Sequence, residues 1–224
     1  MKKAASVFLR TEIYPEDIPL LIRWMENPHV TRYLNEDENI AASLRTLARS
    51  VPAPMLTWRF NQGGRFFLIC QADDTPIGYI RLRTMQADAV EIVYVIGEES
   101  LWGNGYGKQA LHAALSRAFL QKRVDKIVAK IHLENQRSIR SVCACGFRPV
   151  PQPGHLRHYR MTMDDYLEFA PQLPQNQAIA DNRSIEQRIC IKPAKRSRQR
   201  DLSLLVRFMQ RRATPITQKD VSRR

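Results

Sequence analysis

Leu101-Trp-Gly-Asn-Gly-Tyr-Gly107 decides the reading of this 224-residue chain. It lies between an apolar, strand-like run, Glu91-Ile-Val-Tyr-Val-Ile96, and a helical pattern that begins at Lys108. Three glycines in a strand-to-helix turn let the backbone approach a ligand and aim several N–H groups at one point. The start of a helix adds roughly half a positive charge there, so the guest that suits this corner is a phosphate or pyrophosphate. Ala110, Leu111, Ala114, Leu115, Ala118 and Phe119 recur at helical spacing and predict one apolar face on a helix over 107–121.

A second element follows. Lys126-Ile-Val-Ala-Lys-Ile131 reads as a β-branched strand, and His132-Leu-Glu-Asn-Gln-Arg-Ser138 as a polar turn centred on Asn135 that opens a short helix. Gly146-Phe147 ends that helix and starts a new strand. Together the two elements resemble the GNAT family of acyl-CoA N-acyltransferases. Trp102-Gly-Asn-Gly-Tyr-Gly107 matches its pyrophosphate loop, and Asn135, Ser138, Gly146 and Phe147 match its second cofactor motif. The closest likeness is to the branch of ribosomal-protein N-terminal and aminoglycoside-type acetyltransferases. Ile18 to Trp24, followed by Asn27-Pro28-His29-Val30, is similar to that branch's first helix and the turn after it. The resemblance covers about residues 6–168.

The resemblance implies acetyl-CoA as cofactor and direct acetyl transfer to a primary amine. It places the pyrophosphate on the N–H groups of Gly103, Asn104, Gly105, Tyr106, Gly107 and Lys108, with Trp102 opening the loop where the family often has Gln or Arg. Backbone groups of Val95 and Ile96 would meet the pantetheine arm, and Asn135 would bond it from the other side, where two neighbouring strands splay apart. An amine must lose a proton before it attacks a thioester, so a general base is wanted. Glu91, at the start of the central strand, is the first candidate, and Tyr94 on the same strand is a second catalytic candidate. Many family members carry a tyrosine acid seven residues after the motif asparagine. Here that position is Val142, which leaves Ser138, Ser141 or a water for the role. Glu36, Asp37 and Glu38, together with Glu98, are candidates for binding a cationic acceptor, although acids at an exposed helix start also simply favour the helix dipole.

Strands are predicted near 6–11, 66–71, 77–85, 90–97, 126–132, 146–150 and 156–163, and helices over 16–26, 28–34, 38–50, 107–121 and 136–145. Asp73-Asp-Thr-Pro76 reads as the turn of a hairpin. This order predicts an α/β fold: a mixed, mostly antiparallel sheet with helices on both faces. The GNAT-like domain spans 1–170 and a basic extension spans 171–224. Residues 175–224 hold thirteen Lys/Arg and four Asp/Glu, a surplus of nine out of the chain's +13. Within that tail, Ile185, Ile189 and Ile191 suggest a short strand and 201–212 an amphipathic helix.

No apolar run approaches the ~20 residues of a membrane span, and the N-terminal apolar segment is too short for a secretory signal. Four cysteines without metal-ligand spacing fit free thiols in a reducing, cytoplasmic setting. His112 falls off the apolar face of its helix and reads as solvated. No metal site is expected. The partners expected are an amine substrate (a protein N-terminus, a polyamine-like or aminoglycoside-like molecule, or an aminoacyl-tRNA), RNA or ribosome contact through the basic tail, and a second copy of the chain. A competing reading is a nucleic-acid- or ribosome-binding protein that uses the acyl-CoA fold as a ligand sensor.

Overall fold

A computed structural model describes residues 6–35, 39–85 and 89–170. Seven strands build one sheet: β1 (Val7–Arg10), β2 (Gly64–Gln71), β3 (Pro76–Thr84), β4 (Ala89–Ile96), β5 (Lys126–His132), β6 (Arg148–Val150) and β7 (Leu156–Thr162). Their order is β1-β2-β3-β4-β5-β7-β6. Every neighbouring pair is antiparallel except β4 and β5, which run parallel. The hairpin between β2 and β3 turns where its sequence predicts: Thr75 N–H donates to Asp73 Oδ1 at 3.1 Å, and Asp74 takes the left-handed conformation that Asp tolerates.

Side chains of period two divide the sheet between two cores. On one side Ile80, Leu82, Ile92, Ile127, Ala129, Tyr159 and Met161 pack against α5 (Tyr106–Ser116), α6 (Gln136–Cys143) and α7 (Met163–Phe169). On the other, Phe66, Leu68, Tyr79 and Val95 pack against α1 (Asp17–Glu26), α3 (Ile40–Ser50) and α4 (Leu56–Phe60). The first core runs from β1 to β7. The second stops at Val95, and no residue of β5, β7 or β6 belongs to it. The helices on the second face thus cover β1 to β4, where Phe8 of β1 also packs against that core.

Arg10, at the end of β1, is locked to Asp17 at the start of α1 at 2.6 Å, with side chains only 3% and 4% exposed. Asp17 Oδ2 also accepts from Tyr14 N–H at 2.7 Å, so the pair fixes the strand-to-helix corner. Cys70 lies beside Arg10, and burial pushes its thiol up to about 11. Cys145 is likewise buried and pushed up to about 12, whereas Cys143 is exposed; the three described cysteines are free.

Several expectations need adjustment. The predicted 28–34 helix is a single turn, α2 (Pro28–Thr31), begun by the side chain of Asn27, which accepts from His29 N–H. The helix expected over 107–121 holds as α5 to Ser116 and then widens into a π turn, Arg117–Gln121. Two helices were not anticipated, α4 and α7. The latter starts on a capping box between Thr162 and Asp165. It also overturns the solvated reading of His112: Phe169 of α7 lies edge-on to that ring at 5.5 Å, and His112 is 7% exposed. The predicted tail elements, Cys190 and Glu36, Asp37 and Glu38 lie outside the described residues.

Candidate functional site

The site is a gap in the sheet. β4 and β5 pair only at Ala89↔Lys126, Val90↔Ile127 and Glu91↔Val128. Past that point each strand follows its other neighbour: β4 keeps β3 as far as Ile96↔Gly78, and β5 keeps β7 to His132↔Leu156. A cleft of about 370 Å³ opens between them, lined by Ile92 to Ile96 on one side and Ala129 to Ile131 on the other. The glycine corner and the first turn of α5 also line it, as do His29, Tyr33, Asn135 and Ser138.

Gly103 and Gly105 have φ of 78° and 86°, where L side chains are strained. A Cβ on either would meet nothing within 4 Å, so these two glycines serve conformation and leave open space above the corner. Gly107 serves packing: a Cβ there would stand 3.3 Å from the Tyr94 ring. The first backbone bond of α5 runs from Gln109 N–H to Gly105 O at 3.1 Å. The N–H groups of Tyr106, Gly107 and Lys108 precede it and stay free for an anion. Trp102 braces the loop. Its Nε1 donates to Ile96 O at 2.7 Å, and the Arg137 guanidinium sits 3.8 Å above its ring.

Strand alternation decides which amides of β4 face the gap. Gly97 N–H donates to Ile77 O beside β3 at 2.9 Å. Backbone groups of successive residues point to opposite sides, so Val95 N–H also faces β3, while Tyr94 and Ile96 N–H face the gap. Val95 lines the cleft but does not offer its amide there.

On the far wall, Asn135 caps α6. Its Oδ1 accepts from Ser138 N–H at 3.2 Å, which leaves the amide NH2 without a partner among the described residues. Ser138 is the residue that Asn135 caps. Its carbonyl lies 3.5 Å from Tyr94 Oη, and the hydroxyls of Ser138 and Ser141 also reach that phenol. Burial raises the Tyr94 pKa above the ordinary phenol value. Val142, at the position where the resemblance expects a tyrosine, is fully buried, so a phenol there would have to displace core.

Glu91 stands where pairing ends, 12% exposed, with one oxygen 3.2 Å from Lys130 Nζ across the gap. Lys130 was not singled out from sequence, because only the β4–β5 register brings it to Glu91. Glu98, a candidate for binding a cationic acceptor, stands at the start of the loop and is held from α1. Its carboxylate accepts from Arg23 and from Trp24 Nε1 at 2.9 Å, tying α1 to the loop. Glu99 is similarly held by Asn27 Nδ2 at 2.7 Å. At the mouth of the cleft Tyr33 stacks on His132, ring centres 5.4 Å apart, an arrangement without a local sequence signal. Among the described residues no group of His, Cys, Asp or Glu could hold a metal ion, and no helix is long and apolar enough to cross a membrane.

A family model described as an acetyltransferase (GNAT) domain matches residues 7–148. A protein of Bacillus licheniformis, called an uncharacterized N-acetyltransferase p20, is 26% identical over 147 residues, 64% of this chain and 79% of that relative. Spermidine N-acetyltransferase from Vibrio cholerae, solved with CoA and spermine, superposes with a TM-score of 0.60 at 18% identity, covering 72% of this chain and 98% of that one. Aminoglycoside acetyltransferase AAC(6')-Ib, solved with coenzyme A, gives 0.59 at 18% identity over 73% and 98%. An acetyltransferase of Bacillus anthracis gives 0.58, also at 18%, over 72% and 98%.

Proposed function

Because this chain belongs to the GNAT acetyltransferase family and is an acyltransferase, we propose that it moves the acetyl group of acetyl-CoA to a primary amine held in the gap between β4 and β5. The observation that carries this is the meeting, at one cleft, of a strained glycine corner, a helix start and two parted strands. The open space over Gly103 and Gly105 and the free amides of Tyr106, Gly107 and Lys108 fit a pyrophosphate. When bound, acetyl-CoA supplies a thioester, an acetyl group already activated toward amines.

The rest falls to this chain's residues. The NH2 of Asn135 and the edge of β4 orient an extended arm along the cleft. Tyr94 and Ile96 N–H are preorganised donors for a carbonyl oxygen that gains negative charge, and need no rearrangement to act. Tyr94 Oη, kept protonated by its raised pKa, is placed to give a proton to a departing sulfur in place of the tyrosine absent at Val142. Glu91, with Lys130 beside it, receives the proton of the incoming ammonium, directly or through one water.

The test is release of CoA thiol from acetyl-CoA with a panel of primary amines: spermidine, an aminoglycoside and peptides with free N-termini. At least one amine is expected to turn over. Tyr94→Phe should lower kcat about tenfold or more while CoA affinity holds. No turnover with any amine class, or a Tyr94→Phe enzyme with unchanged kcat, contradicts the reading or the role of Tyr94 respectively.

A further inference from the structure

Among the described residues two lysines line the cleft, Lys108 and Lys130. Lys108 belongs to the first turn of α5, at the glycine corner. Lys130 stands on the opposite wall, on β5, and strand alternation fixes where its side chain goes. Ile127, Ala129 and Ile131 of β5 belong to the core under α5, as does Ile92 of β4. Lys130 and Glu91 therefore project to the other face of the sheet, where Nζ meets the Glu91 carboxylate at 3.2 Å.

Register sets the depth. Pairing of β4 with β5 ends at Glu91↔Val128. Carried two residues further, it puts Lys130 level with Val93, one residue short of the Tyr94 amide that faces the gap. A cofactor gripped by the glycine corner reaches this point from the α5 face. The Lys130 amine waits on the opposite face, beside the proposed base.

The amine is also held there. β5 stays paired with β7 through Lys130↔His158, so no capture from solution is needed. The flexible four-carbon stem lets Nζ swing from Glu91 toward the gap. Lys126, by contrast, lies in the paired stretch opposite Ala89 and does not line the cleft.

We infer that Lys130 is an acetylation site of this chain, modified within its own cleft by acetyl-CoA. The step rests on the acetyltransferase reading. Glu91 takes one proton from the Lys130 ammonium and passes it to water. Nζ then forms a bond to the thioester carbonyl carbon while the carbon–sulfur bond breaks. The sulfur leaves as CoA thiol with a proton from Tyr94 Oη, which the second proton of the nitrogen restores. The product is an uncharged amide, so Glu91 loses its cationic partner and transfer stops at one acetyl group per chain.

The test is intact-mass spectrometry and peptide mapping of the full chain incubated with acetyl-CoA and no added amine. One acetyl group per chain is expected, on Lys130. Excess CoA should suppress the labelling, because it occupies the same cleft. Lys130→Arg should take up no acetyl group, and Glu91→Gln should be labelled at least about tenfold more slowly. Coenzyme A binding by calorimetry is the folding control for both variants. Acetyl groups on other lysines with Lys130 bare, or labelling of Lys130 that excess CoA leaves unchanged, overturn the inference in favour of chemical acetylation from solution. An unlabelled wild-type chain that binds CoA and acetylates an added amine such as spermidine also overturns it, and leaves the acetyltransferase reading standing. No CoA heat and no turnover of any amine would instead strike that reading, and this inference with it.

Discussion

Arg10–Asp17 and Glu91–Lys130 join neighbouring elements by the same kind of contact, in very different surroundings. The first pair closes the corner between β1 and α1 at 2.6 Å and is almost wholly sealed from water. The second crosses from β4 to β5 at 3.2 Å, with side chains 12% and 26% exposed, at the place where strand pairing stops. Removing Asp17 would leave Arg10 buried with only its longer ion contact, to Asp74 at 3.5 Å. A charge at the lip of a cleft can exchange its partner for a substrate's ammonium or a water. On the proposed reading, position relative to the gap, more than the chemistry of the pair, separates the structural carboxylate Asp17 from the proposed base Glu91.

Glu91→Gln and Asp17→Ala should therefore fail in opposite ways. Glu91→Gln is expected to cost about 10²–10⁴ in kcat/KM, with the urea midpoint almost unmoved because Lys130 keeps contact with solvent. Asp17→Ala is expected to cost about 3–5 kcal/mol of stability, read from urea unfolding, while the folded fraction keeps its kcat/KM. An Asp17→Ala protein of normal stability, or a Glu91→Gln enzyme of normal rate, would erase the contrast.

The smallest effect concerns burial without a partner charge. The Cys145 thiol is pushed up to about 12, against about 8.5 in an unfolded chain. Between those values the folded state holds a proton that the unfolded state has released, so stability falls as pH rises from about 8.5. Cys145→Ala should flatten that alkaline decline, measured as the urea midpoint at pH 8 and pH 10. An equal decline in the variant would place the alkaline sensitivity elsewhere, for instance on Cys70.

Much of this was legible locally. The glycine corner, α5 and strands β2 to β5 are written in short-range pattern, glycine spacing and period-two runs of apolar residues. The capping box of α7, Thr162 to Asp165, was equally present in the sequence and went unused; with it, the burial of His112 would have followed. α4 left little trace, being five residues with Trp58 exposed. The Glu91–Lys130 pair and the Tyr33–His132 stack are products of register and of contacts up to about a hundred residues apart in the chain. No local pattern encodes those. The contacts that hold Glu98 to α1, through Arg23 and Trp24, were equally invisible in the sequence.

The central claim is that a strained glycine corner at the end of two parted strands grips a nucleotide cofactor, and calorimetric titration with coenzyme A reads it most directly. The wild-type chain should give one-to-one binding. Gly105→Ala, forced toward a φ of 86° that costs an alanine about 1–2 kcal/mol, should bind roughly tenfold or more weakly while remaining folded. No heat from the wild-type chain, or equal affinity in the two proteins, would contradict the account.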